Sequence, residues 1–220
     1  MKNSRYIIFD MDGVLFDTEL LMIQCYEKIT EEYHIPNVRS VCCECIGVNA
    51  DRTQEIFMAH YGKLYPLDEI RNRVVALFKT TIDKHGVPMK PYVTELLQYL
   101  RGSGYSIAIA SSTVTDTVFR EVKQAGIDCY FDVIVGGDMV KRSKPAPDIF
   151  ISACEKLGSL PNETYVIEDS INGLLAAHTA GTKPIAVPDL IVLPDEVRSL
   201  CVSVCRDLRE VMYFFRGEHG

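Results

Sequence analysis

Asp10 and Asp12 stand one residue apart, directly after the apolar run Tyr6-Ile7-Ile8-Phe9, and Gly13 follows them. The run has the length of a buried strand. In an open α/β sheet, ligands sit at the strand exits. Alternation along an extended segment turns side chains 10 and 12 to the same side. Two carboxylates so placed repel, and they fit best beside a cation or with one proton held. A calcium loop of the EF-hand type is excluded, because it needs Gly at 15 and Glu at 21, where Leu15 and Leu21 stand.

Three further apolar runs end in reactive residue types. Tyr105–Ala110 runs into Ser111-Ser112-Thr113. Phe131–Val135 leads through Gly136-Gly137-Asp138 to Lys144-Pro145-Ala146-Pro147-Asp148. Thr164–Ile167 runs into Glu168-Asp169-Ser170. Taken singly, each has a structural explanation. The hydroxyls can cap the next helix, Lys144 can be a solvated loop lysine, and Glu168–Ser170 can be an acidic helix start. Asp138 and Asp148 are read in that way. Taken together, the four exits supply carboxylates, hydroxyls and one lysine along one sheet edge. That set suits a phosphoryl group with Mg²⁺, which takes one or two carboxylates plus water and phosphate oxygens. Asp10 and Asp169 are the natural ligands. Ser111 and Ser112, with neighbouring backbone amides, can hold phosphate oxygens, and Lys144 can neutralise charge on the same group. A G-x-S-x-G elbow, a G-x-x-x-x-G-K-[ST] loop and a G-x-G-x-x-G fingerprint are absent.

The elements that must position these residues follow from periodicity. Helices are expected from about Glu19 to Tyr33, capped by Asp17 and Thr18, from Asp51 to Tyr61 and from Pro66 to His85, with a turn at Cys45–Asn49. The alternation of strand and helix begins only afterwards. Helices are expected at Pro91–Leu100, Thr115–Gln124, Pro147–Leu157, Ile171–Thr179 and Leu208–Phe215, and a further strand at Pro184–Val187. Strands alternating with helices give a parallel sheet with right-handed crossovers. The expected fold is α/β, a Rossmann-like parallel sheet core from residues 1–17 and 87–220. Into it is inserted an all-helical subdomain, residues 18–86, because an unstructured loop of that length has no place in a compact domain.

Composition narrows the partners. A formal net charge of −7 argues against nucleic acid, which asks for a basic face. No apolar run approaches the roughly 20 residues that span a bilayer, and no leader is visible before the first strand, so a cytoplasmic location is expected. The eight cysteines are then expected reduced. Cys42 with Cys45, and Cys201 with Cys205, match no zinc-finger or ribbon spacing.

The stretch D-M-D-G-V-L-F-D-T-E, Ser111 after an apolar strand, K-P-A-P-D at 144–148 and E-D-S-I-N-G-L-L-A-A at 168–177 resemble, in order and spacing, the four motifs of the haloacid dehalogenase-like hydrolases. Residues 18–86 resemble the cap inserted after the first motif in the β-phosphoglucomutase-like and phosphatase-like branch. The resemblance implies that Asp10 attacks phosphorus to give an aspartyl-phosphate. It makes Asp12 the acid for the leaving group and then the base for water, its backbone carbonyl also ligating Mg²⁺. Asp169 would complete the metal ligands with Glu168 in support. Ser111 and Lys144 would hold the phosphoryl oxygens, Lys144 also orienting Asp10, and the cap would close over the site. An acid at Asp12 argues against a carbon–halogen substrate. The implied function is a Mg²⁺-dependent phosphatase of a small phosphorylated metabolite, such as a sugar phosphate. The alternative is a β-phosphoglucomutase. Mutases of this branch carry a cap histidine where Met22 stands and an arginine where Ala50 stands, with Arg52 two residues on. Helix phase nominates Leu20, Ile23, Gln24, Asn49 and Arg52 as specificity residues.

Overall fold

Ile7, Ile8 and Phe9 are wholly buried, as befits a strand hydrogen-bonded on both sides. The computed structural model describes residues 6–46, 50–62 and 65–218. In chain order its elements are β1 (Tyr6–Phe9), α1 (Thr18–Glu31), α2 (Val38–Glu44), α3 (Ala50–Tyr61), α4 (Leu67–His85), α5 (Val93–Gly102), β2 (Ser106–Ala110), α6 (Thr115–Gln124), β3 (Val133–Val135), α7 (Asp148–Leu157), β4 (Thr164–Glu168), α8 (Ile171–Thr179), β5 (Lys183–Ala186), α9 (Asp195–Arg198), β6 (Ser203–Val204) and α10 (Leu208–Arg216). Two compact units result, Met1–Phe16 with Met89–Gly220, and Asp17–Pro88.

The first unit is built on a parallel sheet. Among the described residues its order is β3-β2-β1-β4-β5-β6, the order of the Rossmann sheet, whose ligand crevice opens where the strand order reverses beside β1. Phe9 is level with Ile109 of β2 and Ile167 of β4, so the residues that follow these strands leave the sheet at one height. Both faces are covered. Ile8, Ala108, Ala110, Val135 and Val166 pack with Ile149, Phe150 and Ala153 of α7 and Ala176 and Ala177 of α8. On the opposite face Tyr165 meets Phe214 and Phe215 of α10 edge-on, at 5.9 and 5.1 Å between ring centroids. A strand apolar on both faces is what a doubly covered parallel sheet requires.

The exit of β1 is tied back on itself. Gly13 N donates to Phe16 O at 2.8 Å, and Leu15 N and Phe16 N both donate to Met11 O. Met11, Leu15 and Phe16 are wholly buried, which turns Asp10 and Asp12 away from the apolar interior.

In the second unit α1 packs against α4 and α2, and α2 against α3. Its interior includes Ile23, Ile29, Val41, Phe57, Ile70 and Val74. Phe57 lies 5.4 Å from Tyr26 and 5.6 Å from Tyr65, whose ring stacks on Tyr61 at 4.9 Å. A cavity of about 220 Å³ opens among α1, the end of α2 and α3, lined by residues that include Met22, Ile23, Cys42, Cys45 and Phe57.

The sequence reading departs from these elements in a few places. α2 was not expected: it is seven residues long and no side chain caps it, so it shows little periodicity. Asp17 precedes α1 without a side-chain cap bond; its N–H is bound to Pro88 O at 2.8 Å instead. The four-residue α9 and two-residue β6 are too short to leave a pattern. The expected turn reaching Asn49 lies partly outside the described residues. All eight cysteines are free thiols. Burial pushes Cys42 up to about 12, which disfavours its thiolate.

Candidate active site

Asp10 leaves β1 with its N–H bound to Ile167 O at 2.9 Å and its carboxylate buried. The Lys144 ammonium reaches it from the loop after β3. Lys144 Nζ lies 2.6 Å from Asp10 Oδ1 and 2.7 Å from Glu168 Oε2, and 5.0 Å over the Phe150 ring. Glu168, wholly buried, accepts in addition from Ser170 N at 3.0 Å and Ser170 Oγ at 2.8 Å. Ser170 in turn caps α8 by accepting from Gly173 N at 3.0 Å. A Cβ on Gly173 would fall 2.0 Å from the Glu168 carboxyl carbon, so any side chain there would displace Glu168.

Asp169 joins the same group. Carboxylate oxygens of Asp10, Glu168 and Asp169 lie within 4.8 Å of one another, all three residues buried. Gly13, at φ +83°, leaves the room: a Cβ there would meet Asp169 Oδ2 at 2.2 Å. Three carboxylates against one ammonium leave an excess of two negative charges. Burial, then the charge on Glu168, hold the Asp10 carboxyl well above its usual range, with Asp12 adding and Lys144 opposing. Burial works against the Lys144 ammonium, but Asp10 and Glu168 outweigh it and raise its pKa. The site is therefore short of positive charge. Hard oxygen donors and an excess of two negative charges fit a divalent cation.

Asp12, half-buried, faces the loop after β2. Thr113 Oγ1 donates to Asp12 Oδ2 at 3.0 Å, and Ser111 Oγ approaches the same oxygen at 3.5 Å. Ser111, buried, accepts from Thr113 N at 3.0 Å, a local serine turn. The exit of β3 holds this loop in place. Gly137 N donates to Thr113 O at 2.9 Å, and a Cβ on Gly137 would fall 2.2 Å from Ser112 O. Asp138 Oδ1 accepts from Thr115 N at 2.7 Å and Thr115 Oγ1 at 2.8 Å. It caps α6 from a distant part of the chain, and those bonds hold its pKa below the ordinary value.

Asp10, Lys144, Glu168 and Asp169 thus form one cluster, and Asp12, Ser111 and Thr113 form a hydrogen-bonded set beside it through the β1 exit. The Ser112 side chain stands exposed. Asp148 pairs with Arg142 at 2.6 Å. Of the nominated specificity residues in the helical unit, Ile23 lines its cavity. Leu20 is half-buried and Gln24 exposed, Arg52 pairs with Glu55 at 2.7 Å, and Asn49 lies outside the described residues. Sequence reasoning missed Thr113 as the partner of Asp12 and Gly13, Gly137 and Gly173 as spacers. The signal for the spacers was a glycine beside each acidic or hydroxyl exit. It also missed Glu121, a buried carboxylate on α6.

The family model for haloacid dehalogenase-like hydrolases matches residues 7–187. A phosphorylated carbohydrates phosphatase of Thermotoga maritima is 32% identical over 179 residues, covering 81% of this chain and 82% of that protein. Among solved structures, a provisionally named beta-phosphoglucomutase of the same organism is 28% identical with a TM-score of 0.79, covering 97% of this chain and 99% of that one. A HAD family hydrolase of Deinococcus radiodurans R1, 21% identical with a TM-score of 0.81 and coverage of 99% and 97%, shares the fold.

Proposed function

Because the chain belongs to the haloacid dehalogenase-like hydrolases, we propose that it is a Mg²⁺-dependent phosphatase of a small phosphorylated metabolite. Likeness to the Thermotoga phosphatase points to a phosphorylated carbohydrate. The reading rests on one observation: Lys144 and Asp169 converge with Glu168 on the buried Asp10 carboxylate at the β1 exit.

In this reading an Asp10 carboxylate oxygen attacks phosphorus, the bond from phosphorus to the leaving oxygen breaks, and Asp12 passes its proton to that oxygen. Asp12, now ionised, takes a proton from water. The water oxygen attacks the aspartyl-phosphate, the bond to Asp10 breaks, phosphate leaves and Asp12 is again the acid. Lys144 orients Asp10 and screens the phosphoryl oxygens, while Ser111 and Ser112 with neighbouring amides hold them. Glu168 fixes Lys144. Asp10, Asp169 and the Asp12 carbonyl would hold Mg²⁺, which supplies Lewis-acid polarisation of the phosphoryl group and offsets the surplus negative charge. Most of the rate then comes from positioning and fixed charge. Residues 17–88 occupy the place in the chain of the family's helical cap.

The test is phosphate release from a panel of phosphorylated metabolites with and without Mg²⁺. Turnover that needs Mg²⁺ and falls at least about a thousandfold in Asp10→Asn is expected; an unchanged Asp10→Asn rate overturns the reading. Conversion of β-glucose 1-phosphate to glucose 6-phosphate with a bisphosphate primer would instead support the mutase reading that the Thermotoga structure suggests. Met22 and Ala50, in place of the mutase histidine and arginine, favour the phosphatase.

A further inference from the structure

We propose that Thr113 is a positioning residue that fixes which oxygen of Asp12 delivers the proton. The inference rests on the role of Asp12 as acid given above. A carboxylic acid has one donor oxygen and one acceptor oxygen. The Thr113 hydroxyl donates to Asp12 Oδ2 at 3.0 Å. With the hydroxyl still donating in the acid form, Oδ2 is the acceptor and the proton resides on Oδ1.

Thr113 is built to hold this bond. A β-branched side chain is stiff about χ1, so its hydroxyl direction is set by one torsion. Its backbone is fastened at both ends: Thr113 N donates to Ser111 Oγ at 3.0 Å, and Gly137 N donates to Thr113 O at 2.9 Å. Ser111 Oγ lies 3.5 Å from the same Asp12 oxygen, too long to replace the threonine bond. Without Thr113 the donor that marks Oδ2 is lost, and the proton can reside on either oxygen of Asp12, one of them unproductive.

A poorly aimed acid matters only where the leaving oxygen needs a proton. An alkyl leaving group does; p-nitrophenolate, already a stable anion, does not. The value of kcat/KM reports the first transfer, in which Asp12 is acid, and not the later hydrolysis. The experiment measures kcat/KM with Mg²⁺ for the parent, Thr113→Val, Thr113→Ser and Asp12→Asn. Each is assayed on p-nitrophenyl phosphate and on the alkyl phosphomonoester turned over fastest in the panel. Thr113→Val is expected to lose about tenfold or more on the alkyl ester, a fraction of what a general acid supplies, and less than about threefold on the aryl ester. Thr113→Ser, which keeps the donor, should recover the alkyl rate to within about threefold of the parent. Equal losses of Thr113→Val on both esters, no loss on either, or failure of Thr113→Ser to recover the rate would overturn the proposal. If Asp12→Asn itself hits both esters alike, the acid assignment falls and the Thr113 role falls with it. If Asp12→Asn is selective and Thr113→Val is not, Thr113 alone is misassigned.

Discussion

Lys144 meets two buried carboxylates with a single charge, and each buried acid near it answers that imbalance through its own surroundings. A further buried acid, Glu121 on α6, lies close enough to Asp12 to feel its charge. Burial, then Asp12, raise the Glu121 carboxyl to about 7. Between its ordinary value near 4.5 and that raised value, the folded protein holds a proton that the unfolded chain has released. The contribution of Glu121 to stability is therefore fully present below about pH 4.5. It declines as pH rises to about 7 and stays lost above it. Glu121→Gln removes this dependence. In the presence of chelator the variant should melt higher than the parent at pH 8 but not at pH 4.5; equal melting-temperature differences at both pH values would contradict the assignment.

At the scale of elements, the site is made by strand ends and by glycines that let neighbouring segments close on them. Gly173 shows the difference between propensity and packing. On an exposed helix, alanine in place of glycine gains roughly 0.5–1 kcal/mol. Here the added Cβ would land 2.0 Å from the Glu168 carboxyl carbon, so Glu168 must shift and release Lys144. Gly173→Ala should therefore destabilise by about 2 kcal/mol, in the range of overpacked cores, and reduce turnover, as read by urea titration and phosphate release. These exits were legible because β1, β2 and β4 are continuous apolar runs that stop at Asp10, Ser111 and Glu168. What could not be read were contacts between exits: the bond from Thr113 to Asp12, the cap that Asp138 puts on α6, and the packing of Ser112 O on Gly137 join residues 23 to 101 positions apart. Periodicity carries no information about such pairs. α2 and β6 escaped for the opposite reason, being too short for any period to repeat.

At the scale of the whole molecule, surplus negative charge at the sheet edge couples cation binding to stability. A ligand that binds the folded form alone at 100 times its Kd adds about 2.7 kcal/mol, which in a chain of this size raises Tm by roughly 5–10 °C. Mg²⁺ added to chelated protein should raise Tm by about that much, and Asp169→Asn should abolish most of the rise. An unchanged Tm in the parent would argue against a cation at this cluster.

The position of β1 carries one more consequence. It is one of the two middle strands, flanked by β2 and β4, yet its partners begin at residues 106 and 164. During synthesis at about 5–20 residues per second, Ile7, Ile8 and Phe9 emerge from the ribosome roughly eight to thirty seconds before β4 does. Through that interval this apolar segment of the nascent polypeptide lacks at least one of the two strands that will flank it, a natural client for whatever chaperone stands at the exit tunnel.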